Sequence, residues 1–175
     1  MHTNPHPSAL LAQAQPHLPR GEAVLDLACG RGRNGLALAR VGHPVWFADR
    51  DAEALAQVQQ TLTQERLSGV IWQRDLEAQR RPLGSRRFGA ILVFNYLHRP
   101  LLPQLVDALA PGGVLVYETF TLANRQFGRP NNPDFLLQPT ELQQAFASLE
   151  HIHYREGVES DPRRAIAQLI ARKPQ

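Results

Sequence analysis

Three aspartates are the residues of this sequence whose type and spacing could do chemistry. Asp26 lies in the short apolar segment 24–28, and Asp49 and Asp75 each follow another apolar segment further along the chain. Such segments, alternating with helical ones, predict parallel strands whose carboxyl ends meet along one edge of a sheet. We therefore expect the three carboxylates to gather at that edge, where ligands bind in open α/β sheets.

A glycine-rich turn follows Asp26. Residues 28–35 read Ala-Cys-Gly-Arg-Gly-Arg-Asn-Gly, and residues 36–40 have helix-forming composition. Glycines allow a sharp turn and a close approach of ligand to backbone, while a helix start offers unpaired N–H groups. The pattern predicts a strand, a turn and a helix that form half of a nucleotide site. Its candidate binding residues are Asp26, Ala28, Cys29, Gly30, Gly32 and Asn34.

The turn is compatible with two classes of ligand. Gly30, Gly32 and Gly35 match the dinucleotide fingerprint of an NAD(P)-dependent oxidoreductase, with Asp49 at a suitable distance for a ribose hydroxyl. Asp26 favours the other class, because a carboxylate beside the loop repels a pyrophosphate and attracts a cationic group. The ammonium and sulfonium groups of S-adenosylmethionine carry the charge that this carboxylate would attract.

Two motifs extend this second interpretation to a family. Asp-x-Ala-Cys-Gly-x-Gly at residues 26–32 resembles motif I of the class I S-adenosylmethionine-dependent methyltransferases, and Leu-x-Pro-Gly-Gly-x-Leu at 109–115 resembles another string of that family. Cys-Gly-x-Gly-Arg-Asn is similar to the small tellurite-resistance-type methyltransferases. The resemblance implies a Rossmann-like three-layer α/β sandwich, with a mostly parallel seven-stranded sheet and an antiparallel last strand. Alanine stands at position 28, where the family often has glycine, and we expect this departure to cost little.

The resemblance also implies roles for residues at the other strand ends. Asp49 would accept both ribose hydroxyls, and Asp75 would accept the adenine amino group beside the backbone of Leu76. The cofactor-binding candidates outside the turn are Asp49, Arg50, Asp75, Leu76, Asn95, Tyr96 and Leu97. In-line methyl transfer needs no nucleophilic residue, and a general base helps only where the acceptor carries a proton. The candidates for such a base are Tyr96, His98 and Glu118.

The chain length of 175 residues suits a single methyltransferase domain. Residues 1–20 would form an N-terminal helix or lid over the ligand, and residues 119–139 a substrate loop beside the donor methyl. In that loop Arg125 and Arg129 could bind an anionic group, or could simply be surface arginines. The acceptor would be a small molecule: a metalloid oxyanion, a thiol or a small carboxylate. A non-catalytic S-adenosylmethionine-binding protein is the remaining alternative.

Composition narrows the partners. Lys and Arg number 19 against 16 Asp and Glu, and the arginine pairs are scattered, which argues against nucleic acid. The seven histidines lack ligand spacing, so no metal site is expected. One cysteine and the lack of an apolar stretch of about 20 residues indicate a cytoplasmic protein without a membrane span. The sequence gives no indication of oligomeric state.

Overall fold

The computed structural model describes residues 6–175, which are built around a seven-stranded sheet. The strands are β1 (Val24–Leu27), β2 (Val45–Asp49), β3 (Gly69–Gln73), β4 (Phe88–Phe94), β5 (Leu109–Phe120), β6 (Glu150–Ser160) and β7 (Arg163–Arg172). The helices are α1 (Ala9–Ala14), α2 (Arg33–Arg40), α3 (Ala52–Glu65), α4 (Leu102–Ala108) and α5 (Glu141–Ala145). No helix within residues 6–175 combines the length and the apolar composition needed to cross a bilayer.

The strand order is β3-β2-β1-β4-β5-β7-β6. Strands β1 to β5 pair in parallel, and β7 pairs antiparallel with both β5 and β6. The predicted architecture, a mostly parallel seven-stranded sheet with an antiparallel last strand, is therefore confirmed. Because β1 lies between β2 and β4, the chain order reverses beside it, and a crevice opens at the carboxyl ends of these strands.

The central strand β4 is buried along its whole length, which is why its sequence is a continuous apolar run. Ile91 and Val93 pack into a cluster with Leu105 of α4, while Leu92 and Phe94 pack on the opposite face. That second cluster includes the fully buried Leu10 of α1. The N-terminal helix is thus packed on the core of the sheet.

Helix boundaries follow local chemistry. The Ser8 side chain accepts a hydrogen bond from the Leu10 N–H and caps α1. Residues 1–5 of the predicted helix or lid at 1–20 lie outside the described residues. The α-helix ends at Ala14 and continues as a 3₁₀ turn at Gln15–His17, because Pro16 has no N–H to extend the helical hydrogen bonds. At α3 the Asp51 carboxylate caps the first turn.

The predicted substrate loop 119–139 contains regular secondary structure. Its first two residues still belong to β5, and two 3₁₀ turns follow at Leu122–Gln126 and Pro133–Phe135. Within the segment the buried Asn124 accepts a hydrogen bond from the Ala165 N–H of β7 at 3.1 Å. The segment is therefore anchored to the sheet.

Candidate active site

A cleft of about 250 Å³ opens at the carboxyl ends of β1 to β4. It is lined by Ala28, Asp49, Arg50, Arg74, Asp75, Leu76, Glu77, Asn95 and Tyr96. Seven of these are predicted cofactor-binding residues, which strand order brings together from four separate segments. Sequence reasoning missed Arg74 and Glu77. They flank the Asp75-Leu76 pair, so their proximity to that predicted site was the available signal.

Asp49, the last residue of β2, ties the glycine-rich turn to this edge. Its Oδ2 accepts a hydrogen bond from the Gly30 N–H at 2.8 Å, and its Oδ1 accepts one from the Asp51 N–H at 2.9 Å. Each carboxylate oxygen has a second lone pair. The side chain can therefore accept two further hydrogen bonds, which suits the paired hydroxyls of a ribose.

Asp75 supplies a second carboxylate to the cleft. Its Oδ1 accepts hydrogen bonds from the N–H groups of Glu77 and Ala78, at 2.9 and 3.2 Å. Within residues 6–175 no protein group donates to its Oδ2, which is the oxygen that could accept an amino group. The neighbouring Leu76 adds a buried apolar wall. Acceptors for a diol and an amino group beside an apolar surface fit the adenosine part of S-adenosylmethionine.

Asp26 takes a different position from the one its sequence suggested. Its side chain is 3% exposed, does not line the cleft, and accepts a hydrogen bond from the Gly35 N–H at 2.9 Å. A Cβ at Gly35 would lie 2.6 Å from the same Oδ2, so glycine is required there. Asp26 therefore does not face the cleft, where it could attract a ligand cation directly. Instead the carboxylate accepts the hydrogen bond of the Gly35 N–H at the start of α2, a donor that a bound pyrophosphate would need.

Burial raises the pKa of Asp26 to about 7. The Gly35 hydrogen bond and the nearby positive charge of Arg33 favour the ionised form, whereas Asp49 disfavours it. The effect of burial is the largest of these, so this carboxyl group titrates near neutral pH.

Other predicted residues of the turn shape it without lining the cleft. Gly32 is the left-handed residue that begins α2, and the Asn34 Oδ1 accepts a hydrogen bond from the Ser8 N–H. Burial raises the pKa of the Cys29 thiol far above its usual range, which disfavours the thiolate form that a nucleophile needs. Leu97, beyond β4, is a buried core residue.

Ala28 adopts a left-handed backbone with φ +53°. For a residue with a Cβ this conformation costs about 1–2 kcal/mol, more than the small cost expected from sequence. We predict that Ala28→Gly raises the free energy of unfolding by about 0.5–1 kcal/mol, after the greater entropy of an unfolded glycine is subtracted. Urea denaturation measures the change. Ala37→Gly inside α2 is the control and should be destabilising; equal losses in both variants would contradict the prediction.

None of the three candidate bases offers a basic atom in the cleft. The Tyr96 hydroxyl donates to Glu77 at 3.3 Å, and burial together with the charge of Glu77 raises the Tyr96 pKa. Glu118 is 1% exposed and accepts hydrogen bonds from Ser8, Gln168 and Arg164. His98 is half-buried but does not line the cleft. The geometry supports a reaction that needs no general base.

The structure does not bring the two candidate substrate arginines to the cleft. Arg125 and Arg129 are both exposed and lie in the segment that Asn124 anchors to β7. Neither side chain lines the cavity beside Asp49. A role for these arginines in acceptor binding stays a prediction.

The fold and the cleft together define a class of protein. A mostly parallel seven-stranded sheet with its last strand inserted antiparallel, and a cleft beside a glycine turn at the carboxyl ends of the strands, are the features of a class I methyltransferase. Residues 24–113 match the family model described as a methyltransferase domain. The chain belongs to the S-adenosylmethionine-dependent methyltransferase family.

Particular relatives agree with this assignment. The chain is 37% identical over 148 residues to a trans-aconitate 2-methyltransferase from Sinorhizobium fredii, an alignment covering 79% of this chain and 51% of that protein. It is 24% identical over 139 residues to the probable S-adenosyl-L-methionine-dependent methyltransferase TehB from Haemophilus influenzae, covering 77% of this chain and 48% of that one. The chain spans about half the length of these curated relatives.

A solved structure supports the fold. The crystal structure of TehB from Haemophilus influenzae superposes with a TM-score of 0.75 at 21% identity, covering 94% of this chain and 61% of that one. At this level of identity the likeness establishes the architecture alone.

Proposed function

We propose that this protein transfers a methyl group from S-adenosylmethionine to a carboxylate oxygen of a small-molecule acceptor. The observation that carries the proposal is the cleft in which Asp49 and Asp75 lie at neighbouring strand ends. In the proposed arrangement Asp49 holds the ribose hydroxyls, and Asp75 accepts the adenine amino group beside Leu76. Asn95 and Tyr96 flank the methionine portion.

The catalytic contribution of the chain is positioning. When bound, S-adenosylmethionine supplies a methyl group already activated by its sulfonium. The residues of the cleft orient the donor and exclude water, and alignment of two reactants is worth about 7–11 kcal/mol when the geometry is near-attack. No side chain has to form a covalent bond.

A small carboxylate is the acceptor that we favour over a thiol or a metalloid oxyanion. A relative that is 37% identical to this chain is named for methylation of trans-aconitate, a polycarboxylate. A carboxylate is ionised at neutral pH, so it can attack the methyl group without a general base. This agrees with the occupied or distant positions of Glu118, Tyr96 and His98. The single cysteine supports action in a reducing compartment such as the cytoplasm. The scattered arginines support a small-molecule acceptor rather than nucleic acid.

We expect S-adenosylhomocysteine to bind the purified protein with a dissociation constant in the micromolar range or lower, because the cleft offers acceptors for its ribose and adenine. Isothermal titration calorimetry measures this affinity, and NADH is the matched control. NADH should give no heat, since Asp26 already occupies the Gly35 N–H. Binding of NADH without S-adenosylhomocysteine would contradict the proposed cofactor.

Catalysis is tested separately with labelled S-adenosylmethionine and a panel of trans-aconitate, malonate, selenite and a small thiol. We expect a methyl ester from a carboxylate and no product from the thiol. Cofactor binding with no product across the panel would indicate a non-catalytic S-adenosylmethionine-binding protein and would overturn the proposed activity.

A further inference from the structure

Arg33 is a half-buried cation next to the proposed cofactor site. It is the first residue of α2, and its Nη1 donates to the carbonyl oxygen of His6 at 2.8 Å. The guanidinium carbon lies 6.0 Å from the centroid of the Phe94 ring. Burial is the largest influence on the Arg33 pKa and lowers it, which indicates a charge that has lost part of its hydration.

This charge has no ion-pair partner among residues 6–175. The arginines that do pair with glutamates there are Arg40, Arg99, Arg155 and Arg164. Residues 1–5 contain no Asp or Glu that could supply a carboxylate. A partly desolvated cation without a counter-ion is costly, and Arg33 keeps N–H donors beyond the one used on His6.

The two carboxylates whose charges raise the pKa of Arg33 already accept hydrogen bonds from other groups. Asp26 accepts a hydrogen bond from Gly35, and both oxygens of Glu118 accept hydrogen bonds from Ser8, Gln168 and Arg164. Arg164 forms an ion pair with Glu118 at 3.3 Å and a closer one with Glu159 at 2.8 Å. The open donors of Arg33 are therefore available to an external anion.

The position of Arg33 relates this anion to the reaction. Phe94, on which its guanidinium lies, is the last residue of β4 and directly precedes Asn95 and Tyr96 of the cleft. Strand β4 is on the far side of β1 from β2 and β3, whose ends carry Asp49 and Asp75. Arg33 thus lies on the β4 side of β1, away from the strand ends that carry the proposed adenosine subsite.

We propose that Arg33 anchors a carboxylate of the methyl acceptor through paired N–H···O bonds, with Phe94 supporting the plane of the guanidinium. The inference rests on the proposed function and names an anchoring residue for its acceptor. The amino-acid carboxylate of the cofactor offers the same chemistry, so the experiment has to separate these two anions.

The test titrates trans-aconitate into protein saturated with S-adenosylhomocysteine, using calorimetry. We expect Arg33→Met to weaken trans-aconitate binding about 10- to 100-fold, the usual value of a hydrogen bond to a charged group. Arg33→Lys keeps the charge but not the planar fork, and should lose several-fold. Arg31→Met, an exposed position in the same turn, is the matched control and should change affinity less than twofold.

The affinity for the cofactor product separates the outcomes. S-adenosylhomocysteine should bind the wild type and all three variants within threefold. Loss of that affinity in Arg33→Met, with unchanged affinity for 5′-methylthioadenosine, would assign Arg33 to the cofactor carboxylate and overturn the proposal. Wild-type protein that binds S-adenosylhomocysteine but neither trans-aconitate nor malonate would also overturn the role of Arg33, and would leave the proposed cofactor in place. Failure of S-adenosylhomocysteine to bind the wild type would overturn both proposals.

Discussion

Replacement of Asp49 with asparagine is expected to weaken S-adenosylhomocysteine binding about 100-fold. The two oxygens of Asp49 accept hydrogen bonds from different backbone N–H groups, those of Gly30 and Asp51. An amide has one oxygen, so either orientation of asparagine turns an NH₂ group toward a backbone donor. Such a change displaces the turn, and it also removes a charged acceptor for a ribose hydroxyl, worth about 1.5–3 kcal/mol. Calorimetric titration measures the loss.

Asp51→Asn is the matched control because it makes the same charge change two residues away. The Oδ1 of Asp51 alone accepts both hydrogen bonds at the start of α3, from Glu53 and Ala54. A single amide oxygen can replace it, and Asp51 does not line the cleft. We expect the affinity of Asp51→Asn for S-adenosylhomocysteine to stay within threefold of the wild-type value. Equal losses in the two variants would show that Asp49 acts only through net charge.

Asp26→Asn is expected to flatten the dependence of stability on pH. The folded-state pKa of Asp26 lies near 7 and the ordinary value is 3.8, so the folded protein holds a proton that the unfolded chain has released. Stability contributed by that proton is present below about pH 4 and is lost as the pH rises to 7. Between pH 5 and pH 8 the wild type should lose about 2–3 kcal/mol more than Asp26→Asn.

Urea denaturation at the two pH values measures this difference. Histidines also titrate in the interval, but they are common to both proteins and cancel in the comparison. The asparagine oxygen can still accept from the Gly35 N–H, so the variant is expected to fold. Parallel pH profiles would mean that the ionised carboxylate is stabilised by the start of α2, and would contradict the prediction.

Local patterns in the sequence were sufficient for strands that alternate with helices, whereas the seven strands and the antiparallel last strand were implied by the resemblance to the methyltransferase family. The apolar segments, the helical segments between them and the glycine turn all lie within short stretches of chain, and the expected mostly parallel seven-stranded sheet with an antiparallel last strand is confirmed. Asp49 and Asp75 could be located for the same reason, since each stands at or just beyond the carboxyl end of a strand. The chain direction alone brings such residues to one edge.

Asp26 shows where local patterns fail. It stands within β1 rather than beyond it, so the alternation of side chains across the strand decides its surroundings. The sheet face that it meets is covered by α2, and only the packing of that helix brings the Gly35 N–H to the carboxylate. The sequence indicated an acid near the turn but not whether a ligand could reach it.

By itself the sequence determined the fold class, the glycine turn and the sheet edge at which the candidate cofactor-binding residues gather, because these are encoded in short motifs and in residue order along short segments. Only the tertiary structure decided which charges are satisfied. Ser8 and Glu118 are 110 positions apart and share a hydrogen bond, whereas Arg33 has no ion-pair partner within residues 6–175. Such pairings depend on distances between side chains that are remote in the chain, and no local pattern encodes them.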